Sequence, residues 1–324
     1  MNWKLTLSYD GSTFHGWQVQ PTLPTIQGTL AAALHHLTGE TVLPQGSGRT
    51  DAGVHALAQV TTFSLETAIP PENLLRALNR ALPPTIRVLS AEPAPETFHA
   101  RHSAVAKTYE YRIFPRRPAI NRVPHVSPLR HGLPQPSPET ADLICPPFLA
   151  PYVWDCRWPL DPTPMQTAAT LFLGTHNFTS FAAADPDLTQ RSNNVPLPNS
   201  VISTEAQRSG ETPVLRDAGA TTAPSSAPNP TKTITQSSFT RQDDLLIYRI
   251  TGSGFLHHMV RNIVGTLTEI GRGALSPNDI PRILAARNRT AAGPTAPASG
   301  LFLHTVHYEY EPLLPIPYSL LPAL

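Results

Sequence analysis

Short stretches of alternating apolar and polar residues recur along this chain, separated by segments with the apolar spacing of helices. Alternation predicts strands with one buried face, and apolar residues at i, i+3 and i+4 predict helices. Strand patterns lie at 4–11, 56–66, 85–94, 107–113, 233–240, 245–252 and 300–311. Helix patterns lie at 25–39, 70–82, 161–174, 252–273 and 279–288. We therefore expect an α+β protein in which helices cover a mixed sheet.

The order of these elements suggests two similar halves, each with strands and two helices. With 324 residues, the chain is long enough for two domains. We predict an N-terminal α+β domain over 1–107 and a C-terminal α+β domain over 108–324. The second contains a proline-rich stretch at about 115–151 and a Ser-, Thr- and Pro-rich segment at about 186–230. The later segment has few aromatic residues to bury, so we predict a disordered insertion.

Several protein classes are disfavoured by composition. No apolar run is long enough to span a bilayer, and the N-terminus enters a strand pattern rather than a signal peptide. We expect a cytoplasmic protein. Cys145 and Cys156 lack CxxC or histidine spacing, so neither a disulfide framework nor a zinc site is indicated.

The balance of basic residues is more informative than the net charge of +1. Arginine supplies nearly all of the 24 basic residues, and its planar guanidinium suits phosphate contacts and base stacking. A GC-rich genome would give the same preference. Five arginines cluster locally, at 112, 116, 117, 122 and 130. Such a patch can bind phosphate although the whole chain is nearly neutral.

One carboxylate stands in a glycine-rich bend, in GSGRTDAGVHALAQV at 46–60. Glycines allow close approach of the backbone to a substrate, and Arg49, two residues before Asp51, can bind phosphate through two hydrogen bonds. This arrangement favours a catalytic loop. The alternative is a tight turn in which Asp51 accepts hydrogen bonds from nearby amides.

Two further residues are candidates for the same chemistry. Arg261 lies within an apolar helix pattern, where a buried cation needs an anion, and we expect that anion to be Asp51. The alternative places Arg261 on the helix surface. In KTYEYRI, alternation puts Tyr109 and Tyr111 on one strand face, where a ring would stack on a base or join the core.

Two histidine pairs, at 35–36 and 257–258, raise the question of a metal site. Neighbouring residues on a helix diverge by about a quarter turn. Neither pair therefore makes a good site alone, and we expect no metal.

The motifs resemble, in order, those of the TruA family of tRNA pseudouridine synthases. YDGSTFHGWQVQP at 9–21 resembles the N-terminal signature of that family, TIQGTLAAAL the following helix, and GSGRTDAGVHALAQV the catalytic motif. KTYEYRI, THNFTSF at 175–181, GSGFLHHMVRNIVGTL and APASGLFL at 296–303 resemble the later signatures. The ordered set is far more specific than any single glycine-rich element. The segments at 115–151 and 186–230 are longer than the family pattern requires.

The resemblance implies a role for each candidate residue. Asp51 is the essential aspartate, Tyr109 the tyrosine that packs on the target base, and Arg261 the arginine paired with the aspartate. Arg49 helps to hold the extruded nucleotide. Lys107 and His55, in the same motifs, are further candidate substrate-binding residues.

The implied reaction isomerises uridine to pseudouridine at positions 38 to 40 of the tRNA anticodon stem-loop, without cofactor or metal. Either Tyr109 or Asp51 removes the final proton, and attack at ribose C1′ or at uracil C6 both remain open. The implied pseudouridine synthase fold has two similar α+β domains that share a continuous, mostly antiparallel sheet around a central basic cleft, in a homodimer with no membrane contact.

Two other functions compete with this interpretation. A nucleoside hydrolase or glycosidase would cleave the base without rejoining it, but it usually needs a second carboxylate, and the motif at 252–265 offers none. A non-catalytic RNA-binding module would keep the fold alone, but the intact set of Asp51, Tyr109 and Arg261 argues against it.

Overall fold

The computed structural model describes residues 1–116, 144–183 and 229–309. In these ranges the strands are β1 Asn2–Tyr9, β2 Gln45–Gly46, β3 His55–Ser64, β4 Ile86–Ala94, β5 Ala104–Arg116, β6 Trp154–Pro159, β7 Gly174–Asn177, β8 Thr231–Gln242, β9 Leu245–Gly252 and β10 Leu301–Tyr308. The α-helices there are α1 Ile26–Thr38, α2 Pro71–Ala81, α3 Pro162–Thr170, α4 Met259–Gly271 and α5 Asp279–Ala286.

All of these strands join one sheet in the order β4-β1-β3-β10-β5-β9-β8-β7, with β2 beside β3 and β6 beside β5. The pairs β3–β10 and β5–β6 are parallel, and the other pairs are antiparallel. The last described strand, β10, lies between β3 and β5. It therefore joins the two predicted halves into one sheet, and the expected α+β fold with a continuous, mostly antiparallel sheet is confirmed.

The domain division stays a prediction. The boundary after residue 107 falls within β5, which pairs with β9 on one side and β10 on the other. Nearly all of the insertion at 186–230 and most of the proline-rich stretch at 115–151 lie outside the described residues, as do three of the five clustered arginines.

Local signals in the sequence explain several helix ends. The Thr25 hydroxyl accepts a hydrogen bond from the backbone N–H of Gly28, and α1 ends before Gly39, which adopts the left-handed conformation with φ of 74°. Asp161 caps α3 in the same way, by accepting from the backbone N–H of Thr163. No helix in the described residues is long and apolar enough to cross a membrane.

The start of α4 was predicted wrongly. The apolar pattern suggested a helix from residue 252, but α4 begins at Met259, after an irregular segment. Phe255 therefore lies before the helix and is only half-buried. From Met259 onward the helix is almost entirely buried. At Gly265 a Cβ atom would lie 1.7 Å from the carbonyl oxygen of Pro294, so only glycine permits this close approach.

Candidate active site

Asp51 lies in the loop between β2 and β3, and the N-terminal motif holds this loop. The backbone N–H of Trp17 donates to the carbonyl of Thr50 (3.0 Å), and the N–H of Val54 donates to the carbonyl of Asp51 itself (3.1 Å). Gly16 has φ of 87°, and a Cβ atom there would lie 2.7 Å from the Thr50 carbonyl oxygen. Glycine at position 16 thus allows the backbone of the N-terminal motif to pack directly against the loop that carries Asp51.

Buried side-chain hydrogen bonds fix the loop further. The Tyr9 hydroxyl lies 2.8 Å from Oγ1 of Thr50. Gln59 donates to the carbonyl of Gly48 (2.9 Å) and accepts from the hydroxyl of Ser47 (2.6 Å). Since a satisfied polar network resists movement, it holds the loop on both sides of Arg49 and directly before Asp51.

The structure brings Arg261 to Asp51, although the two residues lie 210 positions apart in the chain. Nη1 of Arg261 donates to Oδ2 of Asp51 at 3.2 Å, and its Nε donates to the carbonyl of Ala296 at 2.8 Å. The side chains are 16% and 24% exposed, respectively. The guanidinium is thus aimed by the APASGLFL motif and stabilises negative charge on a carboxylate that a substrate can still reach.

Two histidines that the sequence reasoning set aside also face Asp51. Nε2 of His257 lies 3.5 Å from Oδ1, and Nε2 of His258 lies 3.3 Å from Oδ2. The quarter-turn argument was wrong here because both residues precede α4 and are not helical. Their place in the same motif, three and four residues before Arg261, was the signal that could have identified them.

Tyr109 lies on β5 and belongs mainly to the wall of the site. Tyr109 is 8% exposed. Its ring packs edge-to-face with the ring of Phe255, and the two ring centroids lie 5.0 Å apart. Burial raises the pKa of the Tyr109 phenol, and the neighbouring Tyr9 and Asp51 raise it further. The phenol therefore stays protonated at neutral pH.

Arg49 belongs to the Asp51 loop itself, and Lys107 contacts this loop from β5. Arg49 lines a small cavity of about 70 Å³ together with Trp17, His99 and Arg101. Lys107 donates from Nζ to the carbonyl of Ser47. Burial lowers the pKa of Lys107 to about 8, and the nearby cations Arg101 and Lys232 contribute. These cations give this side of the loop a positive potential, as the expected basic cleft requires.

His55 is placed differently from the expectation. It is 1% exposed, and its ring stacks on Phe302 with centroids 4.7 Å apart. Nδ1 accepts from the backbone N–H of Gly11, and Nε2 lies 3.1 Å from the carbonyl oxygen of Pro151. Because both ring nitrogens contact the protein, His55 supports the strand behind the loop, and we do not include it among the proposed substrate contacts.

The side chains in contact with Asp51 also bear on metal binding and on hydrolysis. Within the described residues, one group of three or more His, Cys, Asp or Glu side chains has all its possible metal-binding atoms within 4.8 Å of one another. It consists of Asp51, His257 and His258. Arg261 contacts the same carboxylate and disfavours a cation there. His257, His258 and Arg261, which contact Asp51, are all basic, whereas a two-carboxylate glycosidase requires a second acid near the first.

Comparison with known proteins assigns the family. A sequence model described as "tRNA pseudouridine synthase" matches residues 6–103 and 216–309, which include the Asp51 loop and Arg261, whereas Tyr109 lies between the two matched ranges. The chain belongs to this family. "tRNA pseudouridine synthase A" of Solibacter usitatus is 43% identical over 306 residues, covering 94% of this chain and 98% of the relative.

Other relatives match at similar length. "tRNA pseudouridine synthase A" of Moorella thermoacetica is 40% identical and covers 94% of this chain and 98% of the relative. The protein of that name from Bacillus subtilis is 36% identical, with 95% and 100% coverage. The TruA resemblance is thus confirmed, and this family membership makes the protein an RNA-modifying isomerase.

Proposed function

We propose that the enzyme isomerises uridine to pseudouridine at positions 38, 39 and 40 of the tRNA anticodon stem-loop, with Asp51 as the nucleophile and without a cofactor or metal. One observation carries the proposal. The Asp51 carboxylate is held by Arg261 in a loop fixed from behind, yet a quarter of its surface remains exposed. That is the arrangement a nucleophilic carboxylate needs.

The chemistry requires few groups. The bond between uracil N1 and ribose C1′ breaks, the base turns within the site, and C5 forms the new bond to C1′. N1 gains a proton and C5 loses one, so atoms balance without an added reactant. Attack of Asp51 at ribose C1′ and attack at uracil C6 both use the same ionised carboxylate, which the Arg261 guanidinium stabilises.

The final proton from C5 is best assigned to Asp51. Burial raises the pKa of Tyr109, so its phenol is protonated at neutral pH and does not act as a base. We therefore assign Tyr109 to packing against the retained base, beside Phe255. This chooses between the two bases that the sequence left open.

Extrusion of the target nucleotide supports a role for Arg49. A uridine in a stem or loop is stacked, and flipping it out costs a few kcal/mol. Arg49 follows Gly48 in the same fixed loop as Asp51, and Arg101 lines the same cavity. Their guanidiniums suit the phosphates that flank the flipped base. Lys107 contributes indirectly, because its ammonium holds the Ser47 carbonyl.

The experiment that tests the proposal measures tritium release from tRNA labelled at uridine C5. The wild-type enzyme should release tritium without free uracil, and Asp51→Asn should release almost none while still binding tRNA. Transcripts in which uridines 38, 39 and 40 are replaced by cytidine are the matched substrates. Free uracil would instead indicate a hydrolase, and binding without release from any tRNA would favour the non-catalytic module.

The family resemblance also supports a homodimer that acts in the cytoplasm, where tRNA is modified. Light scattering of the purified protein should give twice the mass of one chain, 35.2 kDa. A monomer with full activity would contradict this part of the proposal and leave the chemistry intact.

A further inference from the structure

Two consecutive side chains, His257 and His258, point at the same carboxylate. Regular structure does not allow this, since neighbours in a helix diverge by about 100° and neighbours in a strand point to opposite faces. The two imidazole rings nevertheless lie side by side, with centroids 3.9 Å apart and planes inclined by 31°. Both Nε2 atoms lie within 3.5 Å of an oxygen of Asp51.

A strained backbone at His258 produces this arrangement. His258 has φ of 57° and ψ of 6°, in the left-handed region that a residue with a side chain adopts at a cost in free energy. Hydrogen bonds fix the turn on both sides: the Ala183 N–H donates to the carbonyl of His257 (3.0 Å), and the Asn262 N–H donates to that of His258 (2.9 Å). The strain is therefore maintained by the surrounding structure.

The charge environment favours a neutral imidazole at His258. Burial lowers its pKa, and His257, Arg261 and Arg289 lower it further, while Asp51 opposes them. A neutral ring can donate from Nε2–H to the carboxylate without neutralising its charge. It can thus orient a nucleophile and leave it reactive.

The two oxygens of Asp51 are held unequally. Oδ2 meets both Nη1 of Arg261 at 3.2 Å and Nε2 of His258 at 3.3 Å. Oδ1 meets Nε2 of His257 at the longer distance of 3.5 Å. Oδ1 is therefore the oxygen with more freedom to approach a substrate.

We propose that His257 and His258 are positioning residues for Asp51, and that the left-handed turn at His258 serves to aim them. His258 and Arg261 hold Oδ2, and this leaves Oδ1, faced by His257, as the attacking oxygen. The inference rests on the proposed function, because it assigns a task within the same reaction.

The first test removes the strain and the imidazole together and measures their effects separately, through Tm and kcat. His258→Gly relieves the left-handed strain and removes the ring. We expect kcat for tritium release to fall about tenfold or more, as for loss of groups that orient a reacting ligand. KM should stay within about twofold and Tm should not fall, because strain is released. Asp243→Gly is the matched control, since Asp243 has φ of 52° in the exposed β8–β9 turn and should keep full kcat.

The second test asks whether a hydrogen-bond donor suffices. His257→Gln and His258→Gln keep an N–H donor near the position of Nε2, whereas His257→Leu and His258→Asn do not reach it. Asparagine tolerates the left-handed conformation, so His258→Asn serves even if the glycine variant does not fold. We expect the glutamine variants to recover most of the kcat that the other two lose.

The outcomes distinguish this inference from the proposed function. Wild-type kcat in His258→Gly and His257→Leu, with Asp51→Asn inactive, would overturn the positioning role and leave the function standing. A parallel fall of kcat and Tm without recovery by glutamine would also overturn it, since it indicates a structural role only. Absence of tritium release from the wild-type enzyme would overturn both.

Discussion

Glu110 and Asp51 both contact arginines, but the two carboxylates are held in contrasting ways. Glu110 on β5 is 4% exposed in its side chain and accepts from Arg112 and Arg249 at 2.8 Å, one guanidinium on each oxygen. Asp51 is 24% exposed and meets one guanidinium at 3.2 Å and two imidazoles at 3.3 and 3.5 Å.

The difference separates a structural carboxylate from the proposed nucleophile. Short bonds on both oxygens saturate Glu110, and Arg249 ties β5 to β9, so this group stabilises the sheet beneath the site. Contacts longer than about 3.2 Å are weaker, and they leave Asp51 oriented but available to a substrate.

The largest expected effect is the loss of kcat on substitution of Asp51. Asp51→Asn should lower kcat by about a thousandfold or more, about 4 kcal/mol in the barrier, because an amide is not a nucleophile of this kind. Its Tm should change little, since the contacts of Asp51 are loose. Steady-state tritium release and thermal unfolding measure the two quantities, and a large fall in Tm would contradict the contrast with Glu110.

Glu110→Gln should instead lower the stability of the protein. Removing the charge leaves Arg112 and Arg249 without their shared anion, and we expect a loss of about 3 kcal/mol in the free energy of unfolding. Chemical denaturation measures it. Glu92→Gln is the control, because Glu92 is 55% exposed and lies 3.9 Å from Lys4, so it should cost less than about 0.5 kcal/mol. Equal losses of unfolding free energy in the two variants would contradict the expected difference between the buried ion pairs of Glu110 and the exposed pair of Glu92 with Lys4.

Arg261→Lys should have a smaller effect, confined to activity. A lysine ammonium is a point charge and cannot contact both the Ala296 carbonyl and Asp51 as the guanidinium does. We expect kcat to fall about tenfold, about 1.4 kcal/mol in the barrier, with little change in Tm. Arg282→Lys, on the exposed face of α5, should retain wild-type kcat in the same assay.

The smallest expected effect is the acid dependence of stability at Glu110. Burial works to raise the pKa of this carboxyl, but Arg112 and Arg249 outweigh it and hold the pKa below its usual value. The stabilisation is therefore present above the unfolded-state pKa of about 4.3 and is lost as the pH falls through the folded-state pKa. The difference in Tm between wild type and Glu110→Gln should narrow below about pH 4.3; a constant difference would contradict the assignment.

Much of the fold could be predicted because the signals are local. Alternation identified the strand that carries Tyr109 and Glu110, and a threonine cap with a terminal glycine bounded α1. The alternating patterns at 233–240 and 245–252 correspond to β8 and β9, which pair antiparallel. The expected pairing of Asp51 with Arg261 came from chemistry, since a cation in an apolar helix needs an anion.

Two predictions failed where the structure departs from regular geometry. A helix from residue 252 was inferred from apolar spacing alone, and that spacing continues through the irregular segment before Met259. A helix from residue 252 would also make the side chains of His257 and His258 point in different directions. A single left-handed residue reversed that conclusion, and nothing in the residue types marks His258 for this conformation.

The sequence by itself determined seven of the ten described strands, several helix ends, the motif order and the candidate residues for the chemistry, because these depend on neighbours in the chain. Only the tertiary structure decided that β10 lies between β3 and β5, and that a loop near residue 51 and a helix start near residue 259 meet at one carboxylate. Such meetings depend on long-range packing. Their geometry reflects which surfaces the whole sheet brings together, and no local pattern contains that information.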